Sequence, residues 1–528
     1  MLKIEGLKQR PGRGPRDLVR EAARQLRISE NGIKSIHVLR RSVDAREEVS
    51  FVLTVAVEIE NETAFLRRCH NKKVSRYVPA PKYRLPAIAN APALAPVVVG
   101  AGPAGLFAAL TLAKAGARPI LLERGRPVER RQADVERFWK TGELDTGSNV
   151  QFGEGGAGAF SDGKLNTGTK DPRHRFILET LVSCGAPEDI LVDAKPHVGT
   201  DMLHVALKNL RAELLALGAD IRFESRLTGL QTENGTLTGL SVAGPVGEYA
   251  LPCRSLILAV GHSARDTFEM LRSAGVPMEA KPFAVGMRIE HLQADIDAAQ
   301  YKKYAGHPGL PASSYKLTCH CENGRAAYSF CVCPGGEVVA AASEEGRVVT
   351  NGMSEFARDG ANINGGFLVN VTPEDFGGDG PLSGVEFQRK LEDAAFRLGG
   401  GGYRAPAQRV EDFLENRPST GPGKVLPSYR PGVTWANLRD CLPDLICDTL
   451  AQALPLLDKK LPGFAAGDAV LTAVESRSSS PIRLPRDEGN ESALRGLYPC
   501  GEGAGYAGGI LSAAADGMKC AEKILEAL

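Results

Sequence analysis

Nowhere in this 528-residue chain do about 18 apolar residues follow one another, so the sequence offers no membrane-spanning helix. Residues 1–20, MLKIEGLKQRPGRGPRDLVR, lack the apolar stretch of a secretory signal. A disulfide scaffold is also missing. The 11 cysteines are odd in number and scattered along a long chain, which predicts reduced thiols and a cytoplasmic protein. Neither sign of charge dominates, with 64 Lys and Arg against 63 Asp and Glu. The balance shifts along the chain, however: residues 1–90 hold 19 basic and 10 acidic side chains, the remainder 45 and 53. A basic first unit on an acidic body suits a nucleic acid or an acidic partner, although such a bias more often marks only a solvated surface.

What is present supports a large core. With 43% hydrophobic and 24% charged residues, the chain divides into about two to four domains. Leu18, Ala22 and Leu26 recur at helical spacing, and 62–69 looks helical. Ile36 and Val38, then Phe51, Leu53, Val55, Val57 and Ile59, alternate as strands. This β-α-β-β-α order predicts a small ferredoxin-like α+β domain over 1–76. Residues 77–96 hold five prolines, too many for a core element, so 77–95 is assigned to a semi-rigid linker. An α/β domain is expected over 96–279 and 441–528. Within it, 201–217 reads as an amphipathic helix, Asn234-Gly235 as a hairpin turn and 255–260 as a buried strand. Residues 280–440, with short strands and loops, read as an inserted α+β substrate domain.

The segment VVVGAGPAGLFAALTLAKAGARPILLERG, residues 97–125, carries the most specific pattern. Three valines predict a buried parallel strand. Gly100, Gly102 and Gly105, with Ala104 among them, fit G-x-G-x-x-G at its turn into a helix. Gly100 permits the tight turn, Gly102 lets backbone approach a pyrophosphate, and Gly105 lets helix and strand lie close. The helix start offers unpaired N–H groups and a positive dipole end to phosphates. A second strand at 119–122 delivers Glu123, followed by Arg124, where a carboxylate accepts ribose hydroxyls. That acid also disfavours a 2′-phosphate. The glycines alone are a weak signal; strand, glycines, helix, second strand and acid in this order are a strong one.

The motif does not choose between FAD and NAD. The segment LYPCGEGAGYAGGILSAAADGMKCAEKILEAL, residues 497–528, does. It reads as a short strand, Gly501, the acid Glu502 and a glycine-rich start to the final helix at Gly509 and Ile510. A second, distant grip suits a cofactor whose ribityl chain and isoalloxazine must also be held. Backbone N–H groups and the helix dipole at 509–510 would stabilise the negative charge of reduced flavin. The plain alternative is a packed terminal helix, which gains nothing from the glycines.

Further strings run through the chain: RRSVDAR (40–46), NVQFGEGGAGAFSDGKL (149–165), PHVGTD (196–201), GHSARD (261–266), VGMRIEH (285–291), YSFCVCPGG (328–336), VVTNGMS (348–354), ESRSSSPIR (475–483) and GEGAGYAGGI (501–510). With these, the sequence resembles the FAD-dependent dehydrogenases of bacteria and plastids, within the glutathione-reductase-like class of FAD/NAD(P)-binding flavoproteins. The resemblance implies a two-part Rossmann-like FAD domain, an inserted substrate domain and an N-terminal α/β domain. It implies that Gly155, Gly156, Ala157 and Gly158 form the loop beside the isoalloxazine, with Ser161 and Lys164 behind it. It also implies that Gly261 follows the buried strand at the cofactor, although Val260 and His262 depart from the usual residues there. The position of Glu502 is often Asp in related flavoproteins. The resemblance supplies no substrate.

Flavin N5 accepts or delivers hydride itself, so the protein positions, polarises and excludes water. Lys164, His291 and Arg477 are the candidate catalytic residues, with His262, Arg288 and Arg483 as further candidates. Arg477 and Arg483 flank three serines and suit an anionic substrate or the flavin O2 edge, although such a pair is more often structural. His291 can exchange a proton near neutral pH, yet it has no visible partner and reads more plainly as a core residue. For the C-x-C pairs Cys319/Cys321 and Cys331/Cys333, free thiols are the default over a disulfide or a metal site, and no metal is assigned. No second G-x-G-x-x-G lies between the FAD segments, so transient NAD(P)H, an electron-carrier protein or a reduced substrate stay open as donors. The expected function is a soluble FAD-dependent oxidoreductase passing hydride to or from a small organic substrate. A flavin-dependent RNA-modifying protein using the basic N-terminal domain, and a non-catalytic flavoprotein, are the alternatives.

Overall fold

Val97–Val99 is buried on both faces, as an all-apolar strand must be in a parallel sheet covered by helices. In the computed structural model, which describes residues 1–378 and 380–528, it is the middle strand of five. The order is Leu497–Pro499, Leu256–Leu258, Val97–Val99, Ile120–Leu122 and Asp220–Arg222, every neighbouring pair parallel. Three distant stretches of chain thus build one sheet. The helices Pro103–Lys114 and Ile510–Glu526 lie against each other beneath it. Gly517 permits this approach, since a Cβ there would stand 2.0 Å from the Ala104 carbonyl oxygen.

Gly100 marks the turn from strand to helix. Its φ is +101°, and a Cβ would stand 2.3 Å from the Ala259 carbonyl oxygen. Gly100→Ala should therefore cost roughly 2–4 kcal/mol, overpacking added to backbone strain, read as a lower melting temperature of the apoprotein.

A three-stranded antiparallel sheet, Arg226–Glu233, Thr236–Gly244 and Gly247–Pro252, attaches beside this core. Asn234 and Gly235 form the first turn with φ of 50° and 74°, both left-handed, as a two-residue hairpin requires.

The second large unit is a mixed seven-stranded sheet. Its order is Thr318–His320, Ala326–Cys333, Asn362–Val371, Phe283–Leu292, Val470–Glu475, Ala405–Arg409 and Val433–Trp435. Two strands expected to be short are ten residues long. Both are buried on both faces, which erases the polar alternation that would have revealed them. The boundary expected at residue 440 also moves. Val470–Glu475 pairs with Phe283–Leu292, and the helix Asp444–Asp458 packs on the same sheet, so this unit runs to Glu475 before the chain returns.

At the N-terminus, Leu2–Gln9, Pro15–Leu26, Ile33–Asp44, Ser50–Ile59, Glu62–Arg68 and Val74–Arg76 alternate as β-α-β-β-α-β. Their sheet is antiparallel, with Leu2–Gln9 between the third and fourth strands. The proline-rich stretch expected to be a linker is a docked strap. Tyr83, Leu85 and Ile88 pack on the main core, and the Tyr83 hydroxyl donates to Glu522 of the last helix. Among the described residues no helix is long and apolar enough to cross a membrane.

Candidate active site and cofactor cleft

Both glycine-rich helix starts open on one cleft. Gly100, Gly102 and Ala104 line it from the first, and Gly501, Glu502, Gly509 and Ile510 from the last. Gly156, Ala157 and Gly158 line it from the loop between, and Gly261 from the turn after Leu256–Leu258. A Cβ on Gly102 would meet nothing nearer than the Gly156 Cα, 3.8 Å away; one on Gly261, Gly508 or Gly509 would meet nothing within 4 Å. These glycines border open space. Gly105 does not line the cleft, because it serves the backbone: its Cβ would stand 1.8 Å from the Gly100 carbonyl oxygen. The first-turn amides of both helices have no intrahelical acceptor and present two dipole ends to one channel. A dinucleotide with a second, anionic half fits this cradle.

Glu123 stands at one end. Its Oε2 accepts from the Ala101 amide at 2.7 Å, and its Oε1 from the amides of Gly125 and Gly153 at 2.9 and 3.0 Å. An ionised carboxylate has about four acceptor sites, so one remains for a ribose hydroxyl. Arg124 lies beside it on the cleft wall, its guanidinium 4.3 Å over the Phe152 ring and bonded to Asp266 and Thr267 at 2.9 Å each.

The loop over 149–158 is held by a side chain that sequence reasoning missed. Arg131, fully buried, donates to the carbonyls of Asn149, Val150, Gly153 and Glu154 at 2.6–3.3 Å. Burial pulls its pKa down to about 10, with Glu123 and Glu154 opposing. Gly158 reaches the final helix, since a Cβ there would stand 3.2 Å from Ile510 Cγ1.

At the other end the seven-stranded sheet contributes Phe330, Cys331 and Glu475, and the strand Thr350–Met353 of a separate two-stranded sheet contributes Asn351, facing Ser161, Asp162 and Lys164. Lys164 Nζ is 2.7 Å from Asp162, which also binds Ser354 and Arg358. Burial works against its charge, but Cys333, Asp162 and Cys331 hold the ammonium above its ordinary value. Behind the wall, Arg288 is fully buried and donates to Glu475 at 3.0 Å. Gly352 makes room for it, as a Cβ there would stand 2.1 Å from Arg288 Nη2.

Comparison with known proteins agrees with this architecture. Residues 282–478 match the family described as FAD-dependent protein, C-terminal domain-like; residues 96–133 match the FAD binding domain, and residues 1–58 a domain of unknown function. An uncharacterized protein of Clostridium beijerinckii is 48% identical over 517 residues, 96% of each chain. The chain belongs to the FAD-dependent protein family. Its cofactor is FAD. A digeranylgeranylglycerophospholipid reductase of Methanococcoides burtonii is 24% identical over 222 residues, 39% of this chain and 46% of its own. Among solved structures, the E. coli quinol fumarate reductase covers 82% of this chain and 70% of its own, at 13% identity and a TM-score of 0.38, an agreement too loose to argue from.

In this FAD-dependent protein three expected site residues are placed otherwise. His291 is not at the cleft. Strand alternation puts it on the face opposite Arg288, against Phe464 and Tyr315, with its Nε2 2.8 Å from the Phe464 carbonyl. Burial lowers its pKa to about 4, so it stays neutral. Arg477 does border the cleft, but its donors are taken by Glu392 and Ser343 at 2.6–2.9 Å, an ion cluster shared with Arg265. Gly155 is a hinge and not a wall. Its φ is +87°, its amide donates to Ala101, and a Cβ would stand 2.4 Å from Leu207. Of the further candidates, His262 lines the cleft, held neutral by burial and by Arg477 and Arg265 at a pKa of about 3. Arg483 stacks 4.5 Å over Tyr506. The two C-x-C pairs do not converge, because the hairpin sets Cys319 against Ala327.

Sequence reasoning also missed Asn351, Glu475 and Asp162 as wall residues. Glu475 opens the ESRSSSPIR string and Asp162 lies in the long loop string, so the strings held the signal; their spacing alone did not orient the side chains.

Glu502 yields a pH prediction. Burial raises its carboxyl to about 7, and Lys281 opposes. A carboxyl raised on folding gives stability that is full below the ordinary carboxylate range and lost as pH rises through 7. The melting temperatures of wild-type and Glu502→Gln apoprotein should therefore diverge between pH 5 and 8, the wild type falling below the variant at the upper end. Parallel curves would contradict this.

Proposed function

We propose that the protein is a FAD-dependent dehydrogenase or reductase that passes hydride through flavin N5 to or from a small organic substrate. The observation that carries it is the make-up of the cleft. Backbone from two Rossmann-type helix starts forms one end, and side chains from the loop over 161–166 and from the seven-stranded sheet form the other. When bound there, FAD supplies the hydride chemistry. The chain's own groups do the rest. The helix starts bind the pyrophosphate and offer positive dipole ends. Lys164 keeps a positive charge at the sheet end, where anionic flavin or an anionic substrate gains from it. Phe330 and the buried Arg288–Glu475 pair close that end against water.

Two finer assignments accompany this reading. The flavin domain is of the glutathione-reductase-like type, supported by its parallel core and C-terminal grip. The N-terminal unit is ferredoxin-like, supported by its β-α-β-β-α-β order and the placing of its first strand in the sheet. A cytoplasmic setting is supported by eleven free cysteines.

Anaerobic exposure of the yellow protein to NADH, NADPH and a panel of metabolites, read at the flavin band, tests the function. Bleaching by one compound identifies the donor or the substrate. A flavin that no hydride donor bleaches, yet that is rapidly photoreduced, refutes an enzymatic role.

A further inference from the structure

One cluster on the cleft wall remains unused by this function. The strand Ala326–Cys333 pairs regularly with Asn362–Val371 as far as Phe330, slips, and rejoins with Cys333 opposite Asn364. The slip is a β-bulge, a device that re-aims side chains beside functional sites. Cys331 sits within it at φ +40°, a left-handed conformation that a non-glycine residue seldom adopts.

The bulge has two effects. It brings Cys331 to the cleft wall, while Cys333 stays buried behind it. It also bends the chain back. Residues two apart in an extended strand sit about 6.6 Å apart, near the outer limit of the roughly 4.4–6.8 Å that a disulfide spans. Here the Cys333 thiol folds back and donates to the Cys331 carbonyl oxygen at 3.3 Å.

Two cations, each paired with a carboxylate, stand beside the two cysteines. Arg288 Nη2 donates to the Cys331 carbonyl at 3.0 Å and stands 3.8 Å from Cys333 Sγ. Lys164 lies on the same wall. Cys333, Lys164 and Arg288 hold the Cys331 thiol below its ordinary value, against burial and Glu475. The neighbouring Cys331 and burial push Cys333 well above its ordinary value. The neighbours thus favour the thiolate at Cys331 and the thiol at Cys333, the pairing that thiol–disulfide exchange uses.

We propose that Cys331 and Cys333 are a redox-active dithiol that delivers two electrons to the flavin and closes into a disulfide. In that step the Cys333 S–H bond breaks and the S–S bond forms. The pair gives up two electrons and one proton, which oxidised FAD takes up as its reduced anion FADH⁻. A thiol reductant reopens the disulfide and is itself oxidised to a disulfide. This gives electrons a route in that needs no second dinucleotide domain, and the sequence has no second G-x-G-x-x-G turn between its FAD segments. The proposal rests on FAD occupying the cleft described above.

The test is an anaerobic dithionite titration of the FAD-containing protein, pre-oxidised with diamide and desalted, alongside Cys331→Ser and Cys333→Ser. The wild type should take up four electrons per FAD and each variant two. Non-reducing peptide mass spectrometry should find the Cys331–Cys333 peptide cross-linked only in the oxidised wild type. Dithiothreitol should bleach the wild-type flavin and lose that ability in both variants. Cys333→Ser should keep a long-wavelength thiolate–flavin band that Cys331→Ser lacks. Yellow wild-type protein that takes up two electrons, with both thiols still open to alkylation, overturns the dithiol while leaving the FAD reading standing. Colourless protein overturns both.

Discussion

Gly102→Val should yield a folded, colourless protein. Gly102 has extended backbone, which valine adopts freely, and its new Cβ would touch no protein atom closer than 3.8 Å. The fold therefore loses little. The side chain instead fills the space that a pyrophosphate must occupy against the first turn of Pro103–Lys114. Hydrogen bonds from backbone amides to a charged group contribute about 1.5–3 kcal/mol each. Losing two weakens FAD binding by roughly a hundredfold to ten-thousandfold, since each 1.4 kcal/mol is tenfold. Flavin-to-protein absorbance after gel filtration, with circular dichroism to confirm the fold, reads the result. Full flavin retention would refute the placement of this loop.

Glu392→Ala should be among the most destabilising single substitutions in the chain. Glu392 is fully buried on the helix Ser383–Leu398 and bonds Arg265 and Arg477 at 2.8–2.9 Å, with the Ser476 hydroxyl donating at 2.6 Å. Burial opposes its charge, yet Arg265 and Arg477 hold its carboxyl far below the ordinary range. Removing it leaves two guanidiniums in the core with only the partly exposed Glu344 between them. Breaking a buried pair in this way costs about 3–5 kcal/mol. That corresponds to a melting temperature lower by roughly 6–20 °C, at about 2–4 °C per kcal/mol for a large domain. Because Arg477 borders the cleft, the variant should also hold FAD more weakly. A shift of only a degree or two would mean that the cluster is solvated.

The sequence was most legible where chemistry demands a fixed local geometry. Gly100 stands at the turn and Gly105 where helix meets strand, and Gly102 and Glu123 line the cleft. The Asn234-Gly235 hairpin was equally readable, because few residues tolerate two successive left-handed conformations. Where the sequence misled, long-range packing had decided the outcome. Phe283–Leu292 and Asn362–Val371 are buried on both faces, so neither carried the alternation that identifies a strand. Helix Asp444–Asp458 looks like part of a doubly wound domain until the sheet it covers is known. His291 and Arg477 were chosen as residue types suited to catalysis, but strand alternation turns His291 away from the cleft and a buried carboxylate engages Arg477 at its border. Cys331 was visible as half of a C-x-C, whereas the bulge that turns it to the cleft arises only from pairing with a strand some thirty residues on.

Hydrogen–deuterium exchange of the apoprotein with and without added FAD tests most directly whether two remote stretches of amides grip one flavin. Exchange reports local opening peptide by peptide, so the two sites are scored separately in one experiment. The account predicts that FAD slows exchange together at residues 100–106 and 501–513. Protection confined to the first stretch, with the second unchanged at saturating FAD, would contradict it.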